Sequence, residues 1–183
     1  MRPVRSLKPN VTREQAIEEF SHGPVSWLRS GVYGPLCSVG QCFVPFQLFR
    51  VEIRNGGRSQ QHIFGLDAVT GSLDLYRFDE LPREGDVVCV ETRNHVPAAL
   101  DQENGKDLVL AKVRRFLFST GFFRIRDLHL SAEAIPGELY VPYWVGFRGR
   151  GTSARLCVMD AVRRRVEGAK VKHLLRNWLT SPR

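Results

Sequence analysis

YVPYWVGFRGRGTSARLCVMDAVRRRVEGAK, residues 140–170, rewords an earlier stretch, FVPFQLFRVEIRNGGRSQQHIFGLDAVTGSLDL, residues 43–75. Both open on an aromatic, a valine, a proline and a second aromatic. Both pass through a patch rich in Gly, Arg and Ser, and both reach an apolar run ending in Asp-Ala-Val. Pro45 and Pro142 differ by 97 positions, and Asp67 and Asp160 by 93, so the first copy is four residues longer between these anchors. Four is even, so a longer hairpin of the same register keeps every side chain on its own face.

The first copy reads as a β-meander. Gln41 to Arg54 is rich in aromatic and β-branched residues, which favour extended structure. Val44 is pushed the same way by the ring of Pro45. Arg54-Asn55-Gly56-Gly57-Arg58 is a hairpin turn, because Asn-Gly tolerates positive φ. Gln60 to Val69 is the return strand, Thr70-Gly71 a second turn, and Ser72 to Phe78 a third strand. In the second copy, Tyr140 to Phe147 and Ala154 to Val162 repeat the hairpin around Arg148–Thr152.

Outward from these hairpins the pattern turns helical. Thr12 and Gln15 have capping-box spacing, Asn10 offers a second cap, and Ala16, Ile17 and Phe20 form one stripe. Residues 21–40 read as an irregular connection with Trp27, Leu28 and Tyr33 tucked inward. Val87 to Val90 marks a strand. Gly105 to Thr120 reads as a helix capped by Asn104 and ended by Gly121, with Val109, Val113, Phe116 and Leu117 on one face. Phe122 to Leu130 is a strand candidate. Gly168 to Leu179 carries Val171, Leu174, Leu175 and Trp178 at helical spacing. The expected fold is α+β: two related antiparallel β-meander units flanked by helices, residues 1–82 and 83–183, packed as one compact body with a C-terminal helix.

Composition sets the class. The chain has 183 residues, 43% hydrophobic and 25% charged, which is globular material. No apolar run approaches a membrane span. The opening MRPVRSLKPN has no apolar stretch behind its basic residues, so a signal peptide is not expected and the cytoplasm is the default compartment. Cys37, Cys42, Cys89 and Cys157 fit no disulfide framework. Cys37 and Cys42 lack the second close pair that structural zinc requires, so they read as ordinary thiols.

Charge is lopsided. Residues 148–183 hold ten Lys/Arg against Asp160 and Glu167, a net of +8 that equals the whole chain's. Arg148, Arg150, Arg163, Arg164, Arg165, Lys170, Lys172 and Arg176 lie there among Tyr143, Trp144, Phe147 and Trp178. Basic residues beside stacking rings are the ingredients of single-strand nucleic-acid binding.

Catalytic signals are lacking. Asp67 and Asp160 sit before tight turns, where a carboxylate accepts backbone N–H bonds. His22, His62, His95, His129 and His173 are scattered and form no metal pair. Gly149 and Gly151 sit on a hairpin tip without the helix N-terminus that a phosphate cradle needs. No cofactor and no metal are expected, and the reading leans away from an enzyme.

Two resemblances attach to these residues. GLDAVTGSLDL, residues 65–75, resembles the hairpin of PepSY-type domains, although the second copy has Arg163-Arg164 in place of the Thr-Gly pair. PYWVGFRGRG, VMDAVRRRVEGAKV and the later WL are similar to a pattern in uncharacterised bacterial proteins. The PepSY likeness implies an inhibitory or protein-binding module, usually outside the cytoplasm. The leading expectation is a non-catalytic protein-binding or interaction module. The alternatives are nucleic-acid binding through residues 148–183 and an enzyme without a recognisable motif.

Overall fold

The computed structural model describes residues 1–22, 34–121, 127–149 and 154–181. Among these the chain is α+β, with three helices and an antiparallel-rich sheet of eight strands. The strands are β1 (Arg2–Leu7), β2 (Leu36–Asn55), β3 (Arg58–Asp67), β4 (Tyr76–Phe78), β5 (Val87–Thr92), β6 (His129–Arg148), β7 (Arg155–Asp160) and β8 (Arg165–Val166). The helices are α1 (Arg13–His22), α2 (Gln102–Gly121) and α3 (Ala169–Thr180), with a 3-10 turn at Glu84–Asp86. Strand order is β4-β3-β2-β6-β1-β5, with β7 on β6 and β8 on β7.

The two hairpins share a register. Phe46 pairs with Asp67, and its counterpart Tyr143 pairs with Asp160. The Ala68 N–H donates to Pro45 O at 2.8 Å, and the Ala161 N–H to Pro142 O at 3.0 Å. The first ladder runs on to Asn55↔Arg58 around Gly56 and Gly57, whose φ values of 55° and 78° are those of a two-residue primed turn. The second ends at Arg148↔Arg155. The four extra residues of the first copy therefore lengthen its arm without moving a side chain to the other face.

The sequence boundaries at 82 and 83 delimit copies of a pattern, whereas contacts divide the chain differently. One unit comprises Met1–Val44, Val87–Val96 and Tyr140–Arg183, the other Pro45–Asp86 and Pro97–Leu139. In the first, α1 lies against strands more than a hundred residues away. Val11, Ala16, Phe20 and Met159 are buried together, with Leu36, Val39, Trp144 and Cys157 around them. The Asn10 N–H donates to Ala161 O at 2.8 Å, and Trp144 Nε1–H donates to Val11 O at 2.9 Å. β1, which the sequence reading had not assigned, pairs antiparallel with β5 from Arg2↔Thr92 to Leu7↔Val87, and Ser6 bridges Tyr140 in parallel. Val4, Phe43 and Tyr140 form a second buried group there.

In the other unit α2 covers the β2–β3 hairpin. Phe49, Val51, Phe64, Leu66, Val109, Val113 and Ala132 make its core, each large side chain contributing about 1.5–3 kcal/mol by leaving water. Gly105 is buried on the helix, where an added Cβ would run into Gln47 Oε1 first and Phe49 Cζ at 3.0 Å. Small residues of this kind let helix and strand approach closely.

Caps explain where the helices begin. Thr12 and Gln15 form the reciprocal box: the Thr12 N–H donates to Gln15 Oε1 at 3.0 Å, and the Gln15 N–H to Thr12 Oγ1 at 3.3 Å. Asn10 instead ties α1's approach to the far hairpin, its Nδ2 donating to Val162 O at 2.9 Å. α2 begins earlier than expected. Asp101, not Asn104, is the cap, accepting the Asn104 N–H at 2.9 Å, because an ionised carboxylate answers an orphan N–H better than an amide. α3 buries Val171, Leu174 and Leu175, with Trp178 half-buried. β2 begins at Leu36, inside the segment expected to be irregular. Trp27, Leu28, Tyr33 and most of the strand candidate from Phe122 lie outside the described residues.

Candidate functional site

The β2–β3 arm builds a cleft because its apolar face outlasts the helix packed on it. Cross-strand partners share a face, so Phe49, Val51, Ile53 and Asn55 line up with Phe64, His62, Gln60 and Arg58. α2 buries Phe49, Val51 and Phe64 through Val109 and Val113. Toward the hairpin tip the same face continues as Arg58, Gln60 and His62. There it meets Phe116 and Leu117 of α2 and Arg77 of β4 around a cleft of about 530 Å³.

Among the described residues the lining holds two guanidiniums and an imidazole, with Asn55 and Gln60 as neutral hydrogen-bonding groups, and the Asp79 carboxylate outside it is close enough to act on His62. Phe116 is 52% exposed. Its ring stands at the rim, while Ile53, Phe64 and Leu117 supply apolar wall. Arg77 Nη2 lies 3.4 Å from His62 Nδ1. The His62 ring packs 6.1 Å from that of Phe64. Burial and then the Arg77 cation hold the His62 imidazole below the usual histidine value, against the opposing pull of Asp79.

That direction gives a testable pH dependence. Between the lowered folded value and the ordinary histidine range, the unfolded chain binds the proton that the folded chain refuses, so stability falls as pH drops through this window. His62→Gln should flatten the decline between about pH 7.5 and about pH 5.5. Urea midpoints of the two proteins across that range measure it, and parallel curves would sink the assignment.

Of the C-terminal basic residues, one is drawn inside. Arg148 is buried, and its guanidinium donates to Phe20 O at the end of α1 and to Gly34 O at 3.2 Å. It serves the packing of its own unit and is corrected from a candidate contact to an internal residue. Arg165 is held by Glu167, with Nε and Nη2 at 3.1 and 3.0 Å from Oε1. Arg164, at φ 55°, borders a cleft of about 340 Å³ that also contains Glu18 and Glu19. Arg163 and Lys172 are half-buried, Lys170 and Arg176 are exposed, and Arg150 lies outside the described residues.

Asp67 and Asp160 hold turns. Asp67 Oδ1 accepts the N–H groups of Val69, Thr70 and Gly71 at 3.3, 2.8 and 3.0 Å, and Oδ2 accepts that of Leu73 at 2.7 Å. Asp160 Oδ1 accepts those of Val162 and Arg163 at 2.9 and 2.8 Å. Of the thiols, Cys42 is buried, and exposed Cys37 Sγ lies 3.3 Å from Gly149 O. Among the described residues no helix is long and apolar enough to cross a membrane.

Reading the histidines one by one missed the cleft. Its signal was the alternation of Arg58, Gln60 and His62 in phase with Phe64 and Leu66, polar residues continuing an apolar face. Comparison with known protein families, curated proteins and solved structures finds no match to this chain.

Proposed function

We propose that this chain is a non-catalytic binding module that takes an acidic, apolar-bearing segment of a partner protein into the cleft between the β2–β3 arm and α2. The observation that carries this reading is the described lining: Arg58, Arg77 and His62 together with exposed Phe116 and an apolar wall. Guanidiniums bind carboxylates bidentately. An exposed ring with an apolar wall gives a neighbouring Phe or Leu somewhere to bury. Among the described residues the lining offers His62 no Ser, Thr, Cys or Lys, and Arg77, its polar neighbour, is a cation. That composition favours recognition over turnover. The PepSY-like hairpin points the same way.

The nucleic-acid reading loses its first support with the burial of Arg148 and the pairing of Arg165 to Glu167. A single-strand site also needs successive rings along a cationic groove, and this cleft offers Phe116 and Phe64 at one place.

Selection from a phage-displayed peptide library tests the proposal. Recovered sequences should be enriched in Asp and Glu together with Phe or Leu. Arg58→Glu and Phe116→Ala should each weaken the selected peptides about tenfold or more. Sequences without acidic enrichment, or affinities unchanged in both variants, would overturn it.

A further inference from the structure

β3 is paired along its whole length on one side only. β2 covers it from Asn55↔Arg58 to Phe46↔Asp67, whereas β4 reaches only Ile63, Phe64 and Gly65. Among the described residues no strand pairs with Arg58–His62 on that second side. Residues 58–61 are exposed and His62 is half-buried. Such an edge presents the N–H and C=O groups of alternate residues to any extended chain beside it. Proteins usually blunt exposed edges with proline, lysine or a bulge. Ser59-Gln60-Gln61-His62 has no proline or lysine, and its ladder to β2 is unbroken.

We infer that this edge takes the acidic partner segment as an added β-strand, in the row that β4 begins, an inference that rests on the cleft being a protein-binding site. An added strand would turn alternate side chains toward the face that carries Arg58, His62 and Arg77. Carboxylates at those positions meet the cations, and an apolar residue in the same row meets Phe116. Backbone pairing supplies affinity while the alternate side chains supply selection. A second copy of this chain is the poorer occupant. Antiparallel pairing of two β3 edges about Gln60 would set Arg58 of each copy opposite His62 of the other, and residues 58–62 contain no carboxylate to answer those cations.

The test uses the full chain and the synthetic peptide acetyl-Glu-Thr-Phe-Thr-Glu-Thr-Glu-amide, whose carboxylates and ring share one face of a strand, at low salt, with two analogues N-methylated at one or the other set of alternate residues. An added strand aims one set of its N–H groups at β3 and the other outward. One analogue should therefore bind about tenfold or more weaker, and the other close to the parent peptide. Amide hydrogen exchange at Ser59 to His62 should slow on binding, and Arg58→Glu should weaken all three peptides. If the parent binds in an Arg58-dependent way but both analogues match it, or the amides of residues 59–62 are unaffected, strand addition is wrong and the cleft holds side chains alone. If no acidic peptide binds, both the mode and the protein-binding reading fail.

Discussion

Replacing Asp67 with alanine is expected to cost about 3–4 kcal/mol of folding stability, a large share of what a domain of this size possesses. The carboxylate is fully buried and accepts four backbone N–H groups from the turn that follows it. Two of those donors, on Gly71 and Leu73, are themselves buried; Gly71 keeps the Asp67 carbonyl as acceptor at 3.2 Å, whereas the Leu73 N–H loses its side-chain acceptor and cannot turn to water. Hydrogen bonds to an ionised group contribute about 1.5–3 kcal/mol each, and a buried orphan donor costs about 1–3 kcal/mol. Donors nearer solvent, on Val69 and Thr70, recover part of their loss. Asp67→Asn should cost about 2–3 kcal/mol, since its NH₂ meets an N–H donor at either Oδ1 or Oδ2. Asp160→Ala should fall near 2–3 kcal/mol. Urea unfolding followed by circular dichroism measures all three. An Asp67→Ala loss below about 0.5 kcal/mol would mean that the Asp-Ala-Val turn does not depend on its carboxylate.

Gly146→Ala is the second large effect, and its sign runs against local propensity. Glycine in a strand is ordinarily a weakness that alanine relieves by about 0.5–1 kcal/mol. Here a Cβ on β6 would stand 2.9 Å from Phe20 Cδ2 and 3.0 Å from Leu36 Cδ1. Phe20 is buried on α1 and cannot retreat without opening the core it shares with Val11 and Met159. Overpacking of this kind costs about 1–3 kcal/mol. Gly40, on β2, has no heavy atom within 4 Å of the same added carbon, so Gly40→Ala should stabilise by about 0.4–1 kcal/mol. The pair makes one chemical change with opposite expected signs. Phe20→Leu in the Gly146→Ala background should recover part of the loss, read as a coupling energy in a double-mutant cycle. Gly146→Ala as benign as Gly40→Ala would mean that α1 does not lie on β6.

What the sequence by itself determined is local in reach. The first hairpin, the capping box of Thr12 and Gln15, the turn-holding carboxylates and the stripe of α3 depend on neighbours a few positions apart, although the turn centres on Gly56-Gly57 rather than on Asn55-Gly56 and the third strand forms only at Tyr76–Phe78 instead of Ser72 to Phe78. The even offset between the two copies correctly implied that Asp67 and Asp160 hold equivalent register positions, because a β-strand repeats every two residues and no tertiary contact is needed to count them.

The tertiary structure alone decided which helix covers which hairpin. α1 carries no local mark directing it to β6, β7 and the first residues of β2 rather than to the β2–β3 hairpin, which follows it in the chain. That choice rests on volume, with Gly146 opposite Phe20 in one unit and Gly105 opposite Phe49 in the other. β1 escaped notice for a similar reason: Arg2–Leu7 is short and basic, and becomes a strand by pairing with β5. Arg148 looked like surface charge until Phe20 O and Gly34 O drew it inside. The cleft was hidden in the same way. Arg58, Gln60 and His62 are ordinary strand residues until α2 runs past them with Phe116 and Leu117. Local propensity acts over a turn or a strand, whereas packing complementarity between segments distant in the chain exists only once the fold brings them together.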